Sequence, residues 1–219
     1  MKPTLLSLIF AAGLVAGSAQ AAGLIDPQTY SMYDGPDGGY ADQSYTGSRD
    51  RFGWLSGGEG ELTDGIKGMH VDSPDDWIPY VLWDGYPESR QVITFDLGAN
   101  YTVNEIQASF LYYPGPAVYI PASANIRFSA DGVNYGSSML RTLSAAEQNP
   151  VGAGPASYNL LPSVGSGRYV EVTLTRANRW IALSEVEFYG TAAPVPEPET
   201  WALMLAGLGL VGFATRRRA

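Results

Sequence analysis

Apolar and polar residues alternate along several short stretches in the middle of the chain. Between Arg90 and Gly98, the residues Ile93, Phe95 and Leu97 share one face, with polar residues on the other. A period of two residues is typical of strands that bury one face. No interior stretch shows a long period of 3.6 residues, so we expect little helix. The other alternating stretches are Val103–Tyr112, Asn125–Ser129, Arg168–Thr175 and Ser184–Gly190.

Turn-forming residues separate these stretches. The chain contains 26 glycines and 15 prolines, and 12% of its residues are aromatic. Many chain breakers combined with many aromatic residues suit short strands joined by turns. The sequence therefore predicts an all-β domain built as an antiparallel sandwich or jelly roll over residues 23–190.

The first 22 residues have the three parts of a secretory signal peptide. Lys2 precedes an apolar run, Leu5–Val15, and small residues follow as far as Ala22. The apolar run is too short for an ordinary membrane-spanning helix. We expect cleavage after Ala21 or Ala22, and therefore an exported protein.

The end of the chain also has three parts. A proline-rich linker covers residues 191–199, an apolar run extends from Trp201 to Ala214, and three arginines follow. The apolar run and the basic cluster predict a single transmembrane helix over residues 200–219, with the arginines in the cytoplasm. The run is shorter than the roughly 20 residues that a bilayer requires. The periodicity alone does not exclude the alternative that this run forms a buried helix.

The three parts together resemble the PEP-CTERM sorting signal. The resemblance implies that an exosortase recognises and processes the tail of a Gram-negative bacterial protein. It also implies a transient anchor in the inner membrane, followed by transfer to the cell surface or the extracellular matrix. A eukaryotic glycolipid-anchor signal is the rival interpretation, but its tail normally ends in apolar residues. The residues that carry the resemblance are Val195, Pro196, Glu197, Pro198, Arg216, Arg217 and Arg218.

Charge and cysteine content restrict the classes of function. The net charge is -9, and most of the acidic residues precede Glu88. Such a surface repels phosphate, so nucleic acid is not an expected partner. The acidic residues suit either a solvated face, which is the favoured interpretation, or a divalent cation. The absence of cysteine excludes disulfides, thiolate zinc sites and a cysteine nucleophile.

Residues for catalysis are scarce. His70 is the single histidine, which excludes a multi-histidine metal site, and we expect it to be exposed. No Gly-x-Ser-x-Gly elbow and no glycine-rich phosphate loop is present. Glu185 and Glu187 share one strand face, and paired carboxylates suit glycoside hydrolysis only within a cleft. The sequence therefore predicts a protein without catalytic activity.

Residues 23–190 contain a set of short landmarks in a fixed order. They are Leu62–Gly65, Trp83, Ile93–Gly98, Pro121–Ser123, Phe128–Gly132, Arg168–Val170 and Leu183–Gly190. This ordered set resembles the discoidin, or coagulation-factor type C, family of galactose-binding-like domains. The resemblance implies an eight-stranded antiparallel β-sandwich jelly roll that acts as a binding module. Many members end in paired cysteines, which this chain lacks. We also expect Trp83 to fill the core and Arg168 to pair with a carboxylate on a neighbouring strand.

The resemblance also implies a structural calcium ion. Its side-chain ligands are Asp64 and Glu185, and loop carbonyls such as that of Leu62 complete the shell. Hard oxygen ligands of this kind are those that calcium prefers. The loop around Asp64 departs from the commonest sugar-binding pattern. The alternative is that Asp64 forms a turn and that Glu185 is a surface charge.

Aromatic residues in loops are candidates for ligand binding. Sugars present apolar C–H faces and hydroxyl groups, so a site for them needs a flat aromatic ring with polar groups beside it. Trp54 and Trp77 lie in stretches rich in Gly, Asp and Pro. The preferred site combines Trp77 with Asp75, Asp76 and Tyr113. The alternative is that these tryptophans cover the ends of the sandwich.

Three classes of function remain open. The favoured class is an exported binding module for a carbohydrate or the extracellular matrix. The second is a structural matrix or biofilm protein without a discrete ligand, and the third is a small glycoside hydrolase. The first two differ in whether the loop aromatics form an exposed surface or pack into the core.

Overall fold

The computed structural model describes the part of the chain that carries the predicted domain. Apart from this domain, only scattered positions near the C-terminus are described, and they are helical. The described residues are 22–34, 41–72, 74–83, 90–193, 204–208, 210, 213 and 216.

Strands dominate the described residues. Helix is limited there to a 3₁₀ turn at Pro74–Trp77, to α1 at Ala145–Gln148, and to the tail positions. The strands are β1 (Gly23–Ile25), β2 (Thr29–Tyr33), β3 (Ser48–Arg49), β4 (Trp54–Gly58), β5 (Val81–Trp83), β6 (Arg90–Tyr112), β7 (Ser123–Ser129), β8 (Met139–Thr142), β9 (Gly154–Asn159), β10 (Gly165–Thr175) and β11 (Ile181–Ala192).

The long strand β6 is shared by two layers. Its first part pairs with β2 and β10, in a layer with the order β3-β4-β2-β6-β10-β7-β8. Its last part pairs with β9 on one side and β11 on the other, and β1 and β5 pair along β11. We call these layer one and layer two. All of the strand pairs are antiparallel.

The hydrophobic core lies between the two layers. Phe95 from the first part of β6 and Phe188 from β11 are both fully buried, and their ring centroids lie 5.0 Å apart in an edge-to-face contact. Such contacts join the inward faces of layer one and layer two into one cluster. Trp83 belongs to the same cluster, as expected. The alternating residues of the strands thus build a sandwich, in which the outer face of layer one is turned towards solvent.

The prediction of an all-β sandwich is confirmed, but the prediction of eight strands is wrong. The described residues form eleven strands. The two stretches around Ile93 and Ile106 form a single strand of 23 residues, because Tyr101 and Thr102 between them pair with both β10 and β11. The additional strands are short, and several lie at the edges of the sheet.

Arg168 pairs with a carboxylate on the neighbouring strand, as the sequence predicted. Its guanidinium donates from Nε and from an Nη to the two carboxylate oxygens of Asp96, at 2.7 and 2.8 Å. The hydrogen bonds from Arg168 hold the pKa of Asp96 below its ordinary value. This bidentate contact joins β6 to β10.

The predicted targeting segments are only sparsely described. The signal peptide, residues 1–22, lies outside the described residues except for Ala22. The predicted transmembrane helix is described only at residues 204–208 and three later positions, which include Arg216. The described residues contain no helix that is both long enough and apolar enough to cross a membrane. The other residues of the sorting motif lie outside the described part.

Candidate functional site

A second hydrophobic cluster covers the outer face of layer two. Leu82, Leu111 and Ala182 are buried although they alternate with residues that face the main core. The segment that precedes β5 covers them through Val71 and Tyr80. An outer strand face buried in this way requires a covering segment, because exposed apolar side chains on a sheet are unfavourable.

Aromatic side chains lie at the rim of this cluster. We call His70, Trp77, Tyr113 and Trp180 the aromatic rim. The ring centroids of Trp77 and Tyr113 are 6.1 Å apart, with their planes at 57°, and the ring of His70 lies 6.3 Å from that of Tyr113. Trp77, Tyr113 and Trp180 are half-buried against the second cluster, and His70 is exposed. The structure therefore brings together Trp77 and Tyr113, as the sequence predicted.

A hydrogen-bonded loop positions Tyr113 and Trp180. The amides of Tyr113 and Val118 each donate to the carbonyl of the other, at 3.0 and 3.1 Å, which closes the turn at Pro114–Ala117. The amide of Trp180 donates to the carbonyl of Ala117 at 3.0 Å. Ala117 has a φ of 66°, in the left-handed region that a non-glycine residue seldom adopts. These bonds hold two of the aromatic residues on one rigid backbone unit.

The segment that carries Trp77 is fixed to layer two. The amide of Gly68 donates to the Ser184 hydroxyl at 3.0 Å, and this hydroxyl donates to the carbonyl of Ser109 at 3.1 Å. The Tyr80 hydroxyl donates to the Met69 carbonyl at 2.8 Å, and burial raises the pKa of Tyr80. The tyrosine therefore stays protonated and remains a hydrogen-bond donor.

Polar groups lie next to the aromatic rim. The Asp76 carboxylate accepts a hydrogen bond from the amide of Asp72 at 2.8 Å, and Asp72 lies 3.2 Å from Nδ1 of His70. Asp76 thus stabilises the loop, a role that the sequence did not predict. Asp75 belongs to the 3₁₀ turn, but its side chain lies outside the described part. Together these groups place hydrogen-bonding atoms beside half-exposed aromatic rings, an arrangement that suits a sugar.

Sequence reasoning missed two residues of the aromatic rim. Trp180 lies just before β11, and His70 lies in the covering segment, far from both Tyr113 and Trp180 in the chain. The sequence of β5 did indicate that the outer face of layer two is covered. All three residues of β5 are buried, so this strand is apolar on both sides.

The predicted metal ligands lie close to one another in the fold. Glu185 on β11 is only 3% exposed, and its Oε2 accepts a hydrogen bond from the amide of Gly65 at 3.0 Å. Burial, together with the neighbouring charges of Asp64 and Glu187, raises the pKa of Glu185 to about 8. Glu185 is therefore buried beside the Asp64 loop and is not the surface charge of the alternative interpretation, whereas calcium binding by these residues stays a prediction.

Asp64 and Leu62, the other two predicted metal ligands, also make hydrogen bonds that hold their loop in place. Asp64 Oδ1 accepts a hydrogen bond from the amide of Ile66 at 2.8 Å, so Asp64 does form a turn. The Leu62 carbonyl accepts from the amide of Val186 at 2.9 Å, which docks this loop on β11. The described residues contain no group of three or more His, Asp or Glu side chains placed to hold a metal ion. A cation here would therefore rely on two carboxylates and on carbonyl oxygens.

Several acidic residues near this loop are buried. Asp42 is 1% exposed, and Glu61 and Asp34 are each 6% exposed. Asp42 accepts hydrogen bonds from the Tyr30 hydroxyl and from the amide of Glu61. Burial raises the pKa of all three carboxyl groups. The favoured interpretation of the acidic residues was a solvated face. The burial of these three carboxyl groups shows that this interpretation does not apply to all of them.

The fold and the aromatic rim define an all-β sandwich with a half-exposed aromatic surface. Residues 194–218 match the family model described as the PEP-CTERM protein-sorting motif, so the resemblance of the tail is confirmed. The motif indicates export and sorting to the cell envelope. No curated protein matches the chain.

Solved structures to which the chain is similar include carbohydrate-binding modules. The C-terminal domain of a chitobiase from Bacteroides fragilis is 14% identical, with a TM-score of 0.46 over 78% of this chain and 100% of that one. A chitosan-binding module from a chitosanase/glucanase of Paenibacillus sp. IK-5 is 16% identical, with a TM-score of 0.43 over 77% and 99%. A fucose-binding module of Streptococcus pneumoniae is 15% identical, with a TM-score of 0.44 over 76% and 97%. At these TM-scores the likeness carries no argument about the ligand.

Proposed function

We propose that the chain is an exported, non-catalytic carbohydrate-binding protein, and that the aromatic rim is its binding site. The observation that carries the proposal is the placement of Trp77 and Tyr113, whose rings lie 6.1 Å apart at the surface of layer two. Half-exposed aromatic rings stack on the C–H faces of sugars, and the nearby carboxylates accept hydrogen bonds from sugar hydroxyls. The ligand in this proposal is a polysaccharide of the extracellular matrix.

The rigid surroundings of the aromatic rim favour a binding module over a purely structural matrix protein. A rigid site loses little conformational entropy when a ligand binds.

The alternative function, a small glycoside hydrolase, is less favoured. Glu187 pairs with Lys67 at 2.7 Å, and Glu185 is buried, so these two carboxylates do not face a common cleft as free acids.

Calcium is part of the proposal. A buried carboxylate at Glu185, a second carboxylate at Asp64 and the carbonyl of Leu62 provide the hard oxygens that calcium prefers. The fit rests on Glu185, whose pKa is raised by burial and which accepts only one hydrogen bond among the described residues. In this proposal, a divalent cation stabilises the loop between Leu62 and Gly65 against β11.

The sorting motif supports a proposed route for the protein. We infer that an exosortase processes the tail after the signal peptide has directed export, and that the inner membrane of a Gram-negative bacterium holds the chain only until then. The mature domain would then reside at the cell surface or in the matrix. Mass measurement of the protein from its native host tests this, since a product that keeps Met1 and Ala219 contradicts it.

Retention on polysaccharide tests the binding site. Full-length protein is applied to immobilised polysaccharide from the producing cells, and Trp77→Ala and Tyr113→Ala are compared with Val133→Ala. Val133 is 79% exposed and lies away from the aromatic rim, between β7 and β8, so it is the matched surface control. We expect roughly tenfold weaker retention for both rim variants and native retention for the control.

Melting temperatures separate binding from folding. The proposal requires that the rim variants melt close to the native protein and still lose retention. If Trp77→Ala unfolds, the more conservative Trp77→Phe, which keeps an aromatic ring in the second cluster, is used instead. Native retention by folded rim variants contradicts the proposed site, and the absence of retention by the native protein contradicts the proposed function.

A further inference from the structure

A second group of aromatic residues lies on the opposite side of the sandwich, with an arginine among them. We call the surface formed by Tyr33, Arg51, Phe52 and Trp54 the turn surface. Leu55 of β4 belongs to the core, so its neighbour Trp54 points outward from layer one, whereas the aromatic rim covers the outside of layer two. Trp54 is 55% exposed, Phe52 is 57% exposed, and the rings of Tyr33 and Trp54 lie 5.4 Å apart.

A tight turn between β3 and β4 builds this surface. Asp50 Oδ1 accepts hydrogen bonds from the amides of Phe52 and Trp54, both at 2.9 Å. The amides of Asp50 and Gly53 donate to the carbonyls of Trp54 and Asp50, at 3.0 and 3.1 Å. Gly53 has a φ of 86°, a conformation that suits glycine. The exposed rings are therefore held by a closed turn.

The turn is also attached to the rest of layer one. The amide of Asp34 donates to the carbonyl of Gly53 at 2.8 Å, and Asp34 pairs with Arg49 at 2.6 Å. The register of β2 and β4 places Tyr33 directly opposite Trp54. The position of the Trp54 ring is thus defined from two strands, and the exposure of Trp54 and Phe52 is a property of a rigid unit. Exposed aromatic rings on a rigid element are typical of ligand contacts.

Arg51 gives the turn surface a cationic group. Its guanidinium lies 4.5 Å from the centre of the Phe52 ring. Within the described part of the chain, no carboxylate lies within ion-pair distance of Arg51, although the protein as a whole is acidic. A guanidinium stacked on an aromatic ring keeps its N–H groups free at the edge, where they are able to bind a carboxylate in a bidentate manner.

We propose that the turn surface is a second saccharide-binding site, which takes an acidic polysaccharide. One sugar ring stacks on Trp54, and Arg51 pairs with a uronate carboxylate of the same chain. The charge of Arg51 argues for an acidic ligand over a neutral one, and the flat, exposed Trp54 ring argues for a saccharide. The inference does not depend on the aromatic rim. If both sites bind, one molecule is able to link two polysaccharide chains.

Binding to defined polysaccharides tests this site. Full-length protein in detergent is titrated with polygalacturonate and hyaluronate, which contain uronates, and with neutral dextran. Trp54→Ala and Arg51→Gln are compared with the native protein and with Val133→Ala, the exposed control. We expect binding to at least one of the uronate polymers, roughly threefold to tenfold weaker binding for each turn variant, and unchanged binding for the control.

Salt and the conservative variants sharpen the test. Binding by the native protein should weaken as salt rises from about 0.02 M to about 0.5 M, and Arg51→Gln should lose most of this dependence. Arg51→Lys keeps the positive charge but loses the planar guanidinium that binds a carboxylate through two N–H groups. Its affinity should therefore lie between those of the native protein and Arg51→Gln. If Trp54→Ala melts lower than native, Trp54→Phe replaces it and should bind more strongly than Arg51→Gln.

Three results would overturn the inference. The first is that neither uronate polymer binds, and the second is that the turn variants bind as the native protein does. The third is that Trp54→Ala converts a dimer into a monomer in sedimentation while polysaccharide binding is unchanged, because a second copy of this chain would then occupy the turn surface. If, in the second case, Trp77→Ala is the variant that loses binding, the uronate polymer occupies the aromatic rim instead of the turn surface.

Discussion

The proposed calcium site makes a sharp thermodynamic prediction at Glu185. Changing Glu185 to Gln keeps the shape of the side chain and an oxygen that accepts from the amide of Gly65, but Gln cannot become the carboxylate that a bound cation requires. The fold should therefore persist, while the affinity for a cation should fall. Glu187→Gln is the matched control, because Glu187 lies on the same strand and pairs with Lys67 rather than with the proposed ion.

The size of the effect follows from the ligand set. Two carboxylates completed by carbonyls correspond to the weak class of calcium sites, with a Kd of about 0.1–1 mM. At about 10 mM calcium, the native state then gains about 1.4–2.7 kcal/mol by mass action. For a domain of this size, each kcal/mol shifts the Tm by about 2–4 °C, so the native Tm should rise by about 3–11 °C.

Calorimetry after chelation measures this shift. Native protein and Glu187→Gln should show it, and Glu185→Gln should not. Magnesium at the same concentration controls for ionic strength, since it requires a more regular octahedral shell than this loop and strand provide. An unchanged Tm of the native protein on adding calcium refutes the reasoning, as does a full calcium shift in Glu185→Gln.

Two further predictions concern the sandwich itself. Phe188→Ala removes a fully buried ring that contacts Phe95 across the two layers, and urea denaturation should show a loss of about 3–5 kcal/mol; a loss below about 1 kcal/mol would show that the contact between the layers is not tightly packed. Asp96→Asn should lower the Tm at neutral pH, because Arg168 depresses the pKa of Asp96. That contribution is present above the ordinary value of 3.8 and is lost as the pH falls through the lower folded value, so melting curves of the variant and the native protein should converge in acid.

The central strands were predictable because one face of each is apolar. The residues around Ile93, Val172 and Val186 alternate, and the structure buries the apolar ones in a single core. The edge strands gave no such signal. β8 and β9 contain no fully buried residue, and their alternate residues are only partly buried, so burial imposes at most a weak pattern on their sequences. The resemblance implied eight strands, and the sequence pattern gave no ground for adding these edge strands to that number.

The candidate sites were predictable only in part. Trp77 and Tyr113 stood out as loop aromatics, but their position beside the same hydrophobic cluster as Trp180 depends on how distant segments cover layer two. The local sequence does not contain that information, because chain neighbours do not determine contacts across a sandwich. The acidic residues show the same limit. Asp42 and Glu61 are both buried, and Asp42 accepts hydrogen bonds from the Tyr30 hydroxyl and the amide of Glu61, contacts that the number of charges in the sequence does not indicate.

The central claim is that the aromatic rim binds a saccharide, and NMR of the tryptophan indole N–H groups tests it most directly. The chain has five tryptophans, and Trp→Phe variants assign their signals. On titration with oligosaccharides prepared from the polysaccharide of the producing cells, the signals of Trp77 and Trp180 should shift and saturate together. The signal of Trp83, which is buried in the core, should stay in place. If neither Trp77 nor Trp180 shifts while the oligosaccharides are shown to bind, the aromatic rim is not the site.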